Sequence, residues 1–374
     1  MTASTGQRTG NRWLWVIGGL IAFAVAAVVG VIAFGNFTSP IDENCFCSIP
    51  GANSFALVLA IAAGVGIGVY ALLEFVQTGR IASITRQFDT RTLVLMPIAI
   101  AFNIILGQAV GTALKIPIYL DSIGTILVGA LAGPIPGALT GLLSNLLWSY
   151  AVPPPFHSDI SGAFAIVAAA IGLLAGFFGR MGWLRPRPNR SMSELAVGAV
   201  IAVVLIVVMA YLSYLGYTAI LGNPDLNPTP GQGEFFGLPL FTLLGYLALL
   251  LVAGTAIGLI LLLVLRRDLT AAYVVVAGVV TGLVAAAISA PISANVFGGV
   301  TGAGTDFLVL AFRQAGADIS AATLGQGLIS DPIDKVTTFF VVYLILSAMA
   351  VRTKARFPQG EKLVVSAGNA EASA

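Results

Sequence analysis

From Trp13 to Ala350 this chain is a succession of apolar runs, most of them long enough to cross a bilayer, with the charges gathered in the gaps between them. A helix crossing the hydrocarbon layer needs about 20 apolar residues. In lipid every backbone polar group must also be bonded internally, which leaves helices or closed barrels as the available folds. Hydropathy places ten spans, at about 13–36, 54–77, 93–113, 118–133, 136–152, 160–178, 194–220, 239–265, 270–291 and 335–351. Composition agrees: 9% of residues are charged, against about 25% in soluble domains. The 43 glycines suit helices that approach closely. The expected class is an all-α integral membrane protein. No basic stripe interleaved with aromatics supports nucleic-acid binding.

Lys and Arg set the orientation, because cytoplasmic loops retain them. With the N-terminus inside, 15 of the 18 basic residues fall on the cytoplasmic side. Only Lys115, Arg313 and Lys335 fall outside. The alternation supports both the span count and cytoplasmic termini. The first apolar run has a basic flank like a signal peptide, but it is long and lacks a small-x-small cleavage site, so it reads as a retained helix. The chain divides into two accessory helices with a basic loop (1–92), four closely spaced helices (93–180), a cytoplasmic linker with two inserted helices (181–268), two last helices with a long outer segment (269–352) and a disordered cytoplasmic tail (353–374). The expected location is a bacterial inner or plasma membrane.

The run from Lys115 to Tyr150, KIPIYLDSIGTILVGALAGPIPGALTGLLSNLLWSY, holds two short apolar segments around a GPIPG turn at 133–137. Asp121 lies about 6 Å past Pro117 at 1.5 Å per residue. A carboxylate at that depth is costly and marks a functional candidate. Its other reading is a cap on its own helix with Ser122, where the dipole favours an anion. Asn145 and Trp148, three apart, share a face that can wall a flat polar solute. Tyr150 fits an interfacial aromatic belt. His157, the single histidine, reads as a loop residue near the pocket rather than a metal ligand.

The stretch 293–335 is too long for a structureless loop and is expected to hold a short helix or re-entrant piece around FLVLAF. Arg313 and Gln326 are candidate solute contacts, as is Asp331. DPIDK also reads as a helix start, with Asp331 the N-cap, Pro332 the first helical residue and Asp334 in the first turn. The third span carries small residues four apart, Ala99, Asn103, Gly107 and Gly111, a stripe on which another helix can dock, either from a partner chain or from this one. Cys45 and Cys47 are too close for an easy internal disulfide. Pairing with another chain, lipidation and free thiols all stay open. There is no GxxxxGK[ST], GxSxG or HExxH, and no constellation suited to catalysis, metal or cofactor binding.

The run IPIYLDSIGTILVGALAGPIPGALTGLLSNLL, with TLGQGLISDPIDKVTTFFVVY near the end, resembles the substrate-binding S components of energy-coupling factor (ECF) transporters. The resemblance covers 93–178 and 270–351, and the helix pairs 13–77 and 194–265 depart from it. It implies a six-helix bundle with an outward-facing, vitamin-sized pocket. It also implies docking through the Ala99–Gly111 stripe onto a transmembrane coupling protein driven by two ABC-type ATPases. The expected function is solute capture for import of a vitamin or similar micronutrient, with ATP bound only on the partners. The alternatives are an ion-coupled secondary transporter, with Asp121 as the ion site, and a membrane sensor module.

Overall fold

The computed structural model describes residues 12–34, 50–107, 119–153, 157–188, isolated positions within 191–207, and residues 234, 235, 238–301, 303 and 305–364. The chain is helical. Its helices are α1 Arg12–Phe34, α2 Pro50–Thr78, the single turn α3 Ala82–Thr85, α4 Thr90–Leu106, α5 Ile123–Ala132, α6 Pro134–Tyr150, α7 Ala165–Arg180, α8 Leu240–Leu265, α9 Thr270–Phe297, α10 Asp306–Gln314, α11 Ile319–Ala348 and α12 Val351–Ala355. Before α8, Glu234–Phe235 and Leu238–Pro239 pair as two antiparallel two-residue strands. Four described helical segments are long and apolar enough to cross a membrane: 13–34, 54–78, 161–180 and 270–297.

Helices α4, α5, α6, α7, α9 and α11 pack into one body, while α1 and α2 lie chiefly against each other and α8 rests on α9 and α11. Ile126, Ile171, Val274 and Phe339 meet in the core of that body. Glycine sets its spacing. A Cβ on Gly172 of α7 would stand 2.2 Å from the Gly137 carbonyl of α6, and one on Gly282 of α9 would stand 2.4 Å from Pro332 Cα of α11. Lipid offers no hydrophobic drive for such pairing, so backbone-close van der Waals contact must supply it.

Two elements matter most for the site. Helix α5 has 10 residues, about 15 Å at 1.5 Å per residue, which is half a bilayer. It is entered through non-helical backbone at Tyr119–Ser122, an arrangement tolerated at membrane depth when protein encloses it. Its far end turns into α6 at Gly133, whose φ of 135° only glycine adopts readily. Helix α11 is the second, and it starts well before the 335–351 span expected for it. Its polar residues Gln326, Ser330, Asp331, Asp334 and Lys335 dilute the hydropathy, yet the last four are buried against neighbouring helices. The N-cap is Asp318, whose side chain accepts from Ala321 N. The DPIDK start therefore needs correcting: Asp331 sits in mid-helix, and Pro332 is an interior proline. Helix α10 supplies the short helix expected around FLVLAF.

The tail expected to be disordered from residue 353 is also corrected in part. Helix α12 and a 3-10 turn at Gly360–Leu363 fold back under the body. Gln359 N donates to Leu131 O at 2.8 Å, Arg91 donates to Arg356 O at 3.1 Å, and Leu363 is 1% exposed. The apolar Leu363 and these backbone bonds give the segment a folded partner. Residues 365–374, Cys45, Cys47, Gly111 and most of the expected 194–220 span lie outside the described residues.

Candidate functional site

The non-helical entry to α5 meets the middle of α11 through Asp334, which is fully buried. Its Oδ1 accepts the backbone N–H groups of Tyr119 and Leu120, each at 3.0 Å. Its Oδ2 accepts from Lys335 Nζ. Lys335 also donates to Ser122 Oγ at 2.9 Å and stands 3.8 Å from Asp121 Oδ1. Leu120 has φ 51°, a left-handed conformation costing a non-glycine residue roughly 1–2 kcal/mol. The bonds accepted by Asp334 hold it there. The Tyr119 hydroxyl shares a 2.7 Å hydrogen bond with Thr305 Oγ1, tying the same entry to the start of α10.

Asp331 lies one turn earlier on α11 and is 7% exposed. Gln326 Nε2 donates to Ser330 Oγ at 2.8 Å, and Ser330 Oγ donates to Asp331 Oδ1 at 3.2 Å. Ser289 Oγ of α9 reaches Asp331 Oδ2 at 3.4 Å. Both contacts to Asp331 are long for a hydroxyl donating to a carboxylate, which prefers about 2.5–2.7 Å. The Lys335 ammonium, four residues on, is directed to Asp334, Ser122 and Asp121. Lys335 thus pairs with Asp334 and Asp121, while Asp331 is contacted by the Ser289 and Ser330 hydroxyls. An ionised carboxylate buried without a cation costs on the order of several kcal/mol, a cost relieved by taking up a proton or a counter-ion.

An apolar wall adjoins the cluster. A Cβ on Gly107 would stand 2.6 Å from Trp148 Cη2 and 3.1 Å from Asp121 Cβ, so the indole and Asp121 converge over that glycine. Asn145 and Trp148 are both buried, while Tyr150 faces outward. Below them Asn103 bridges three elements. Its Nδ2 donates to Thr125 Oγ1 at 2.9 Å and Ser144 Oγ at 3.0 Å, and its Oδ1 accepts Gly124 N at 2.7 Å.

The structure brings Asp121, Trp148, Gln326 and Asp331 to one end of the bundle and buries Asn145 on α6. Arg313 stands apart, exposed at the end of α10 and donating to Ala317 O. Asp121 is not a helix cap: the cap position belongs to Ser122, which makes no side-chain capping bond. Of the two readings of the small-residue stripe, packing by helices of this chain is what is seen at Ala99, Asn103 and Gly107, and Gly111 lies outside the described residues. Ala99 packs its carbonyl against Gly124, Asn103 bonds α5 and α6, and Gly107 takes Trp148. The chain's own helices fill this face. His157 contacts Val152 O and Asp159 Oδ1, both at 3.0 Å, within its loop. Among the described residues no group of His, Cys, Asp and Glu has a metal-binding arrangement.

Asp334 and Lys335 were not picked out as site residues by sequence, although they are the hub. Asp331, Asp334 and Lys335 are three and four residues apart, the spacing that places side chains on one helical face. The helix-start reading of DPIDK obscured that signal. No family model, curated protein or solved structure matches this chain.

Proposed function

We propose that this chain captures a small polar solute within the membrane, as the substrate-binding subunit of an ECF-type importer whose ATP is hydrolysed by partner subunits. One observation carries the reading. Asp331, Asp334 and Lys335 are buried, with the partly exposed Asp121 beside Lys335, against a half-length helix entered through non-helical backbone. Charged groups inside a bilayer are expensive and mark solute or ion paths. The basic loops beginning at Arg80, Arg180 and Arg266 lie at the opposite end of the bundle, so positive-inside orientation gives the cluster to the outer side. The chain carries no ATP-binding motif of its own. The coupling protein would dock elsewhere than on the Ala99–Gly107 face, which is internally packed.

The test is reconstitution in liposomes with and without a coupling protein and two ABC ATPases. Uptake that needs those partners and external solute supports the proposal. Uptake by this chain alone under a proton or sodium gradient overturns it. That outcome would support the second reading, an ion-coupled carrier, which the weakly bonded Asp331 favours.

A further inference from the structure

The loop joining α6 to α7 carries the chain's single histidine, and both of its ring nitrogens face acceptors. Nδ1 stands 3.0 Å from Val152 O, and Nε2 stands 3.0 Å from Asp159 Oδ1. A backbone carbonyl and an ionised carboxylate can only accept, and a neutral imidazole has one N–H to give. The imidazolium serves both partners. Protonated Asp159 could supply the second bond instead, but imidazole is the stronger base by roughly 2–3 pH units. Either way, the closed arrangement holds one proton more than a neutral histidine beside a carboxylate.

The segment fastened in this way is bonded to the last turn of α6. Ser158, next in the chain, donates its N–H to Trp148 O at 3.4 Å, and its carbonyl accepts from Ser149 Oγ at 2.6 Å. Ser149 Oγ accepts Gly162 N at 2.6 Å, at the 3-10 turn Ser161–Phe164. Helices α2, α6, α7 and α9 pack on that turn. Among their described residues, Tyr70 and Glu74 of α2 bond Ser83, Tyr273 of α9 packs on Trp183, and Arg180 closes α7, all toward the arginine-rich end. Tyr150 of α6 lies beside Gly162, and a phenol titrates at about pH 10. Pro154, Pro155 and Phe156 carry no titratable group. The ring and Asp159 are both partly exposed, so the proton exchanges with solvent.

We infer that His157 is a pH-operated clip. Protonated, it binds Val152 and Asp159 and closes the 152–159 loop on the end of α6. Deprotonated, it releases one of them and the loop loosens. Imidazole changes charge between about pH 5 and about pH 8. The closed loop binds the proton and the loosened loop gives it up, so rising pH favours the loosened form. The clip stands whether or not the chain captures a solute.

Because the chain has one histidine, isotope-labelled imidazole gives a single set of ring-nitrogen resonances from the full chain in nanodiscs. At about pH 5.5 both nitrogens carry protons, and Asp159→Asn moves the titration to lower pH. Hydrogen exchange, corrected for its intrinsic pH dependence, finds the Ser158 and Gly162 amides about threefold better protected at about pH 5.5 than at about pH 8, the size expected of a partly exposed ion pair. His157→Gln removes that difference. Equal protection at both pH values in the wild type overturns the inference, and that comparison needs no variant. A titration that Asp159→Asn leaves unmoved, or a pH difference that survives in His157→Gln, overturns it as well.

Discussion

At the scale of single residues, two side chains organise the site's end of the bundle. Asn103 satisfies the hydroxyls of Thr125 and Ser144 and the N–H of Gly124 together. Replacing it with leucine strands that buried amide N–H, and leaving such a group unpaired costs about 1–3 kcal/mol. Asn103→Leu is therefore expected to lower the melting temperature in detergent, whereas Tyr150→Leu, at an exposed position, leaves it nearly unchanged. Lys335 is the second. Lys335→Met leaves the fully buried Asp334 uncompensated, a loss of about 3–5 kcal/mol. The double change Asp334→Asn with Lys335→Met removes both charges and is expected to recover part of that stability. Equal melting of the single and double variants would contradict the ion pairing. Asp121 and Trp148 could be singled out in the sequence because a charge within an apolar run and aromatic spacing are local signals, whereas Asp331 was placed at a helix start rather than inside a helix. The Asp334 bonds to Tyr119 and Leu120 were not, because they join positions 214 and 215 residues apart. Asn103 was noticed as a small polar residue in a stripe, but its three partners could not be seen until α4 was placed against α5 and α6.

At the scale of elements, the half-length α5 and the long α11 make one unit. The entry to α5 depends on the Asp334 carboxylate of α11, and Gly282 of α9 lets its backbone meet that of α11 at Pro332. Gly282→Leu forces these helices apart. It is expected to lower both thermal stability and solute binding, read by melting and by calorimetry on the same preparation. Gly133→Ala carries two penalties: a φ of 135° and a Cβ 2.4 Å from Gln87 Oε1. It should destabilise the α5–α6 turn without touching the charged cluster, so affinity per folded molecule stays near the wild-type value. The apolar helices were readable in sequence because lipid demands long uniform runs. Helix α11 was cut short in that reading because buried polar residues look like a loop to hydropathy, which registers composition and not the face a side chain occupies.

At the scale of the whole molecule, the two ends of the bundle do different work. One end carries the aspartate–lysine cluster beneath α10 and the His157 loop. The other carries the arginine-rich turns and is strapped by residues 351–364, whose Leu363 enters the main core. Leu363→Ala should cost about 2–5 kcal/mol through the cavity it leaves, visible as a lower melting temperature with solute affinity preserved. The account's central claim is that the buried cluster holds a solute. Native mass spectrometry on the chain released gently from membranes tests it most directly. The account predicts a single small molecule bound one-to-one in the wild type and lost from folded Asp121→Asn. A folded wild-type chain that carries no small molecule, or one retained equally by Asp121→Asn and Asp331→Asn, would contradict it.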